Sequence, residues 1–194
     1  MSEPRRRPAL TLVRVDTRDR LRRFAWGVVY ALLYRPSPRP FHGWRRMLLR
    51  LFGARIGARA HPYPLARIWA PWRLSMAAGS ALDNHVDCYN TDWVYLGVDA
   101  VVSQYSYLCT GTHDLDLPGR PVVAAPIFIH DAAWVAVDCF IGPGVRIGVG
   151  AVVYARSSVT RDVEDGHVVV GSPPKLIRVL TPGEDGNWRS LSSS

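Results

Sequence analysis

From Ile129 onward an apolar residue returns at every sixth position: Ile129, Val135, Ile141, Ile147, Val153 and Val159. Four places after each lies a second small or apolar residue: Ala133, Cys139, Val145, Ala151, Ser157 and Val163. A helix repeats every 3.6 residues and a half-buried strand every second one, so neither produces this beat. Short flat strands stacked into a solenoid do, because each turn buries its sixth-place residue against the next. The same phase opens at Ile56-Gly57 with Ala60, and passes through Pro62, Ile68 and Leu74, where prolines at 62, 64 and 71 make the turns irregular. Slips then move it to Met76 and Leu82, and again to Leu96, Val102 and Leu108. The fourth-place partners there are Ser80, Val86, Ala100, Ser106 and Thr112. After Thr112 the phase breaks, and residues 113–126, too long and too rich in Pro and Gly for one turn, are expected to leave the solenoid as a loop.

The flanks carry a different pattern. Residues 1–20 are polar, rich in Arg and expected to be loosely held. Leu21 to Tyr34 favours a helix, stopped by Arg35-Pro36-Ser37-Pro38-Arg39-Pro40. A second helix is predicted from His42 to Phe52, with Trp44, Met47, Leu48, Leu51 and Phe52 on one stripe beside Arg45, Arg46 and Arg50. Past the repeats, Val168-Val169-Val170 reads as a last strand. Gly171-Ser172-Pro173-Pro174 reads as a turn, and Lys175 to Leu180 as a short helix capping the open end of the stack. Residues 181–194 are expected to fray. The division is therefore a basic terminus (1–20), a helical segment (21–53), the solenoid (54–180) and a tail (181–194).

Composition fits one soluble domain: 194 residues, 48% hydrophobic and 21% charged. The net charge of +8 is lopsided, since residues 1–59 hold 15 Arg against 3 acidic residues while the remainder is mildly acidic. That asymmetry bears on partners, not on fold. Cys88, Cys109 and Cys139 lack the spacing of a zinc or redox pair and read as small apolar residues of a reduced protein. The longest apolar run, Phe24 to Tyr34, is shorter than the about 20 residues a bilayer-spanning helix needs. A cytoplasmic protein is expected. No nucleic-acid reading motif accompanies the arginines.

The run from Ile56 to Leu180 resembles the hexapeptide-repeat acyltransferases. Within them it is similar to the WcaF-like colanic acid biosynthesis acetyltransferases, relatives of maltose and galactoside O-acetyltransferases. The stretches that carry the likeness are Arg35-Pro-Ser-Pro-Arg-Pro, His42-Gly-Trp-Arg-Arg, Leu51-Phe-Gly-Ala-Arg-Ile-Gly, Ala66-Arg-Ile-Trp-Ala-Pro-Trp, Val86-Asp-Cys-Tyr-Asn, Tyr107-Leu-Cys-Thr-Gly-Thr-His-Asp and Gly171-Ser-Pro-Pro-Lys. The resemblance implies a mainly β fold, a left-handed parallel β-helix. It implies a homotrimer with sites between subunits, acetyl-CoA as co-substrate, no metal, and a saccharide acceptor, free or lipid-linked.

Acetyl transfer from a thioester to a hydroxyl needs a base, and histidine suits that role near neutral pH. The resemblance places it at His113, where the repeat breaks; Asp114 either orients the ring or forms a turn. For the acceptor it implies Asp87 and Asn90, with His85 within reach; the same stretch also reads as a turn between coils. For acetyl-CoA it implies Ser103, Val137, Ala155 and Thr160 along a groove walled by Trp134. Arg161, Lys175 and Arg178 would lie near the nucleotide phosphates.

Two other function classes are compatible with the fold. A zinc enzyme would need three converging histidines, yet none follows His113 until His130. A non-catalytic scaffold would accord with departures from the family wording at Met76-Ala77, His130 and Ser172-Pro173-Pro174. The Arg-rich N-terminus is expected to cap the first coil with solvated arginines, and also to offer a basic amphipathic surface to anionic lipid.

Overall fold

The computed structural model describes residues 9–13 and 16–183, and the backbone of 188–190. Its body is a parallel β-solenoid with three flat faces. Face I stacks Arg55–Ile56, Leu74–Met76, Val94–Leu96, Ile127–Ile129 and Arg146–Ile147. Face II stacks His61–Pro62, Ala81–Leu82, Val101–Val102, Trp134–Val135, Val152–Val153 and His167–Val170. Face III stacks Arg67–Ile68, Asp87–Tyr89, Tyr107–Cys109, Phe140–Ile141 and Ser158–Val159. Sixth-place residues sit above one another, as in Ile56, Met76, Leu96, Ile129 and Ile147. Ile129, Val135, Ile141, Ile147, Val153 and Val159 are all buried, which is the physical content of the beat. The fourth-place residues turn inward at the corners, where there is room only for small side chains. Where these are Ser80, Ser106 and Ser157, the hydroxyls donate to the carbonyls of Ala77, Ala136 and Tyr154.

The phase slips all fall on the edge between faces III and I. A single turn of 3-10 helix over Pro71–Arg73 delays the second coil, so Met76 and not Leu74 carries the stack, although Leu74 is also buried. Cys88 completes that coil on face III, a place the six-residue count passed over. The third slip is the largest. Thr112, expected inside, is exposed, because the chain has already left the solenoid at Gly111.

Helix α1 (Thr17–Val29) begins four residues before the expected start because the Asp16 carboxylate accepts the amide of Asp19, capping it. It continues as a wider turn over Tyr30–Tyr34, and after the prolines α2 spans His42–Leu51. The predicted stripe of α2 divides: Leu48 is buried and Phe52 half-buried, whereas Trp44, Met47 and Leu51 are exposed; Leu49, off the stripe, is buried. The terminal segment is not wholly loose either, since Thr11–Leu12 forms a strand; residues 1–8, 14 and 15 lie outside the described residues.

These helices close the first coil by hydrogen bonding as well as by packing. Carbonyls of Met76, Ser80, Leu82 and Cys88 accept amides of the first coil, from Gly57, His61, Tyr63 and Trp69. The equivalent first-coil carbonyls, of Ile56, Ala60, Pro62 and Ile68, have no coil before them. They accept instead from Arg50 Nε and Nη2, Arg46 Nη1, Arg45 Nε and Trp26 Nε1. Arg45 is fully buried and also donates to Ser37 Oγ and to the carbonyls of Pro38 and Arg39. The expectation of solvated arginines is thus corrected for these three: each supplies donors that a missing strand would have supplied.

The opposite end is closed by main chain. Lys175–Pro182 is not a helix but a strand, antiparallel to His167–Val170, with a bulge between Val168 and Val169. A helix would have left the last face II strand unpaired; the returning strand pairs it, and buried Leu180 donates its amide to Gly166. Trp188–Ser190 pairs in turn with Leu180–Pro182, so the expected fraying does not apply there; 184–187 and 191–194 lie outside the described residues.

Candidate active site

The excursion at the third coil is a β-hairpin, Gly111–His113 against Val122–Ala124, with Thr11–Leu12 as a third strand. Its root is tightly built. Thr110 and Thr91 are buried with their hydroxyl oxygens 3.1 Å apart, and Thr110 Oγ1 accepts the amide of Asp92. Gly111 is required here, because a Cβ would stand 2.9 Å from Thr91 Oγ1. The register Thr112↔Val123 then carries His113 opposite Val122 on the exposed stretch of the hairpin.

His113 Nδ1 lies 2.7 Å from the carbonyl oxygen of Arg120. A carbonyl can only accept, so Nδ1 bears the proton, and in the neutral ring the lone pair is at Nε2. The hairpin tip makes this contact: Arg120, in the left-handed region at φ 45°, donates its amide to Leu117, and Asp114 donates its amide to Pro121. The Asp114 carboxylate accepts the amide of Asp116, a local turn, so the ring is oriented by Arg120 and not by Asp114. The sequence carried no signal for that carbonyl partner.

The acceptor stretch separates. Asp87 points outward from face III, its carboxylate 3.3 Å from Arg67. Asn90 is buried: its amide oxygen accepts from Ala70 N and its Nδ2 donates to the carbonyls of Ala70 and Arg73. The expectation that Asn90 meets the acceptor is therefore corrected, since its polar atoms tie the first two coils together. His85 lies on the edge between faces II and III, at φ 61°, stacked on Tyr105 at 4.9 Å.

The donor set also falls on two edges. Ser103, Val137 and Ala155 line the edge between faces II and III. Beside them half-exposed Trp134 donates Nε1 to Ser103 Oγ at 2.9 Å. Along this edge Val137 O accepts from Arg156 N, and Arg156 pairs with Asp138 at 3.3 Å. Lys175 and Arg178 are exposed on the closing strand, with Arg178 Nη2 3.4 Å from Tyr154 Oη. Thr160 and Arg161 are exposed on the other edge, between faces III and I, as is the hairpin. Within one chain face III separates His113 from Ser103, Val137 and Ala155.

Burial raises the thiol pKa of Cys88 and Cys139, which suits packing and not nucleophilic chemistry. Among the described residues no group of three His, Cys, Asp or Glu side chains is arranged to hold a metal ion.

The three-faced parallel solenoid is a fold shared with solved hexapeptide-repeat acetyltransferases. One such protein of Vibrio cholerae, in complex with acetyl coenzyme A, superposes with a TM-score of 0.77 over 86% of this chain and 91% of its own, at 22% identity. A maltose O-acetyltransferase of Clostridium difficile gives 0.76 over 84% and 89%, at 20% identity. A galactoside acetyltransferase in complex with coenzyme A gives 0.67 over 82% and 81%, at 20% identity. At these identities the likeness is one of fold. No family model matches the chain. The colanic acid biosynthesis acetyltransferase WcaF of Escherichia coli is 40% identical over 153 residues, 79% of this chain and 84% of that protein. The chain belongs to the WcaF family.

Proposed function

We propose that this protein transfers the acetyl group of acetyl-CoA to a hydroxyl of a saccharide, free or lipid-linked, in cell-surface polysaccharide synthesis. The reading rests above all on His113, whose Nδ1–H is held by the Arg120 carbonyl at 2.7 Å so that Nε2 carries the lone pair. Nε2 takes the proton of the acceptor hydroxyl as its oxygen attacks the thioester carbonyl carbon. The tetrahedral adduct collapses with cleavage of the C–S bond, and the imidazolium returns the proton to the departing thiolate. Backbone carbonyl support fits this cycle, since it fixes the ring without adding a charge beside it.

Ser103, Trp134, Val137 and Ala155 form the donor-side wall, with Lys175 and Arg178 near the phosphates of the nucleotide. Because face III lies between that wall and His113, the complete site joins two copies, and a cyclic homotrimer supplies three such sites. Asp87 and His85 face the acceptor. The enzyme works at the cytoplasmic side of a membrane. Among the described residues no helix is long and apolar enough to cross a bilayer, but α1 exposes Leu21 and Val28, the wider turn after it exposes Leu32, and α2 exposes Trp44, Met47 and Leu51. With Arg18, Arg20 and Arg22 also exposed on α1, this surface complements an anionic bilayer.

His113→Ala is expected to lower kcat by about 10²- to 10⁴-fold with an unchanged melting temperature. Undiminished acetyl-CoA turnover by the folded variant would sink the assignment.

A further inference from the structure

A cleft of about 380 Å³ opens between α1 and the outer surface of face III at the first two coils. Its walls carry Arg20, Arg23, Arg67, Tyr30, Trp69 and Asp87. Three guanidinium groups thus meet one carboxylate, and that carboxylate already faces Arg67 at 3.3 Å. Arg23 Nε is buried and makes no hydrogen bond. Its contact with Asp19, at 3.5 Å, is to a carboxylate that Arg73 also approaches at 3.8 Å. The cleft is therefore cationic, with donors to spare, and suits an anion with several oxygens.

The second feature is aromatic. Trp69, under Arg23, begins a column on face III that continues through Tyr89 at 5.2 Å, Tyr107 at 6.5 Å and Phe140 at 5.8 Å. The column leads from the cleft past the third coil, from which the His113 hairpin projects. Ring faces of this kind pack against the C–H faces of a pyranose. At its other end the cleft is bounded by Phe24, which is 72% exposed and continues toward the apolar side of α1. Apolar surface, cationic cleft and aromatic track follow one another toward the hairpin.

We infer that this cleft binds the phosphate-bearing end of the acceptor, a glycosyl ester of diphosphate, with its phosphate oxygens on Arg20, Arg23 and Arg67 and its sugar laid on Trp69. The inference rests on the saccharide O-acetyltransferase reading and specifies its acceptor. The diphosphate can be esterified to a polyprenol or to a nucleoside, and the cleft chemistry is common to both.

Isothermal titration of the full chain tests it with four probes: inorganic pyrophosphate, a short-chain polyprenyl-diphosphate monosaccharide, a nucleoside-diphosphate monosaccharide and the free monosaccharide. Pyrophosphate and at least one diphosphate sugar are expected to bind at least about tenfold more tightly than the free sugar. The stronger of the two esters identifies the source. Arg20→Ala/Arg67→Ala, which removes only exposed side chains, is expected to weaken that binding at least about tenfold. His113→Ala should bind like the wild type, and saturating coenzyme A should leave pyrophosphate bound. Absence of binding, equal binding by the arginine variant, or displacement by coenzyme A overturns the inference. Since the readout is equilibrium binding, it stands or falls separately from the turnover test of His113.

Discussion

The two ends of the solenoid face the same difficulty and meet it with different parts of the chain. At the first coil, carbonyls that would accept from a preceding turn are met by side chains: Arg45, Arg46, Arg50 and Trp26. At the last coil, the strand Lys175–Pro182 folds back and pairs through its backbone. A side-chain cap concentrates its hydrogen bonds in a few residues and leaves the outer side of its helices free for another purpose. A backbone cap spreads its bonds along the chain and depends little on any one side chain. The lopsided charge follows in part from this difference, since arginine is a natural donor-only filler for an end rich in acceptors.

The contrast breaks most readily at Arg45. Arg45→Ala leaves the Pro62 carbonyl buried without this donor and removes the bonds to Pro38 and Arg39, and is expected to destabilise by about 3 to 5 kcal/mol in urea unfolding. A loss below about 1 kcal/mol would show that the helices close the end by packing alone. At the other end the expected effect is smaller. Leu180→Ala removes a buried side chain and should cost about 2 kcal/mol, whereas Leu176→Ser on the exposed side of the same strand should stay within about 0.5 kcal/mol. A larger cost at Leu176 than at Leu180 would reverse the account of that cap. The smallest effect on stability is expected for Leu21→Ser/Leu32→Ser on exposed positions of the first helical segment, within about 0.5 kcal/mol. The same variant should lose at least about tenfold in co-sedimentation with anionic vesicles at physiological salt. If wild-type protein ignores vesicles and the variant instead lowers the mass of the assembly, the occupant of this surface is a second copy of the chain.

The residues that build the solenoid were legible because burial at a fixed period leaves an apolar mark. Ile129 to Val159 could be placed on inner positions from spacing alone, and the break after Thr112 located the hairpin to within two residues. What escaped was carried by contacts between distant segments. Nothing local in Thr11–Leu12 announces that it pairs with Val123 and Ala124. Lys175 to Leu180 reads as a helix on local grounds and extends instead, because the open edge of the neighbouring strand decides the matter. Asn90 reads either as a ligand for the acceptor or, with Thr91 and Asp92, as a turn between coils, and its partners are backbone groups of the coil below. Arg45, Arg46 and Arg50 looked solvated for the same reason. One cue was present: arginines on a helix that runs directly into an uncapped first coil.

All the irregular turns, including the hairpin, share the edge between faces III and I, while the edge between faces II and III keeps uniform corners from coil to coil. Length can therefore be added or removed at the one edge without disturbing register at the other. Such a molecule separates what varies from what must stay constant. A lineage can exchange the segment proposed to meet the acceptor and keep the wall proposed for acetyl-CoA, so a new acceptor preference needs no redesign of the donor side.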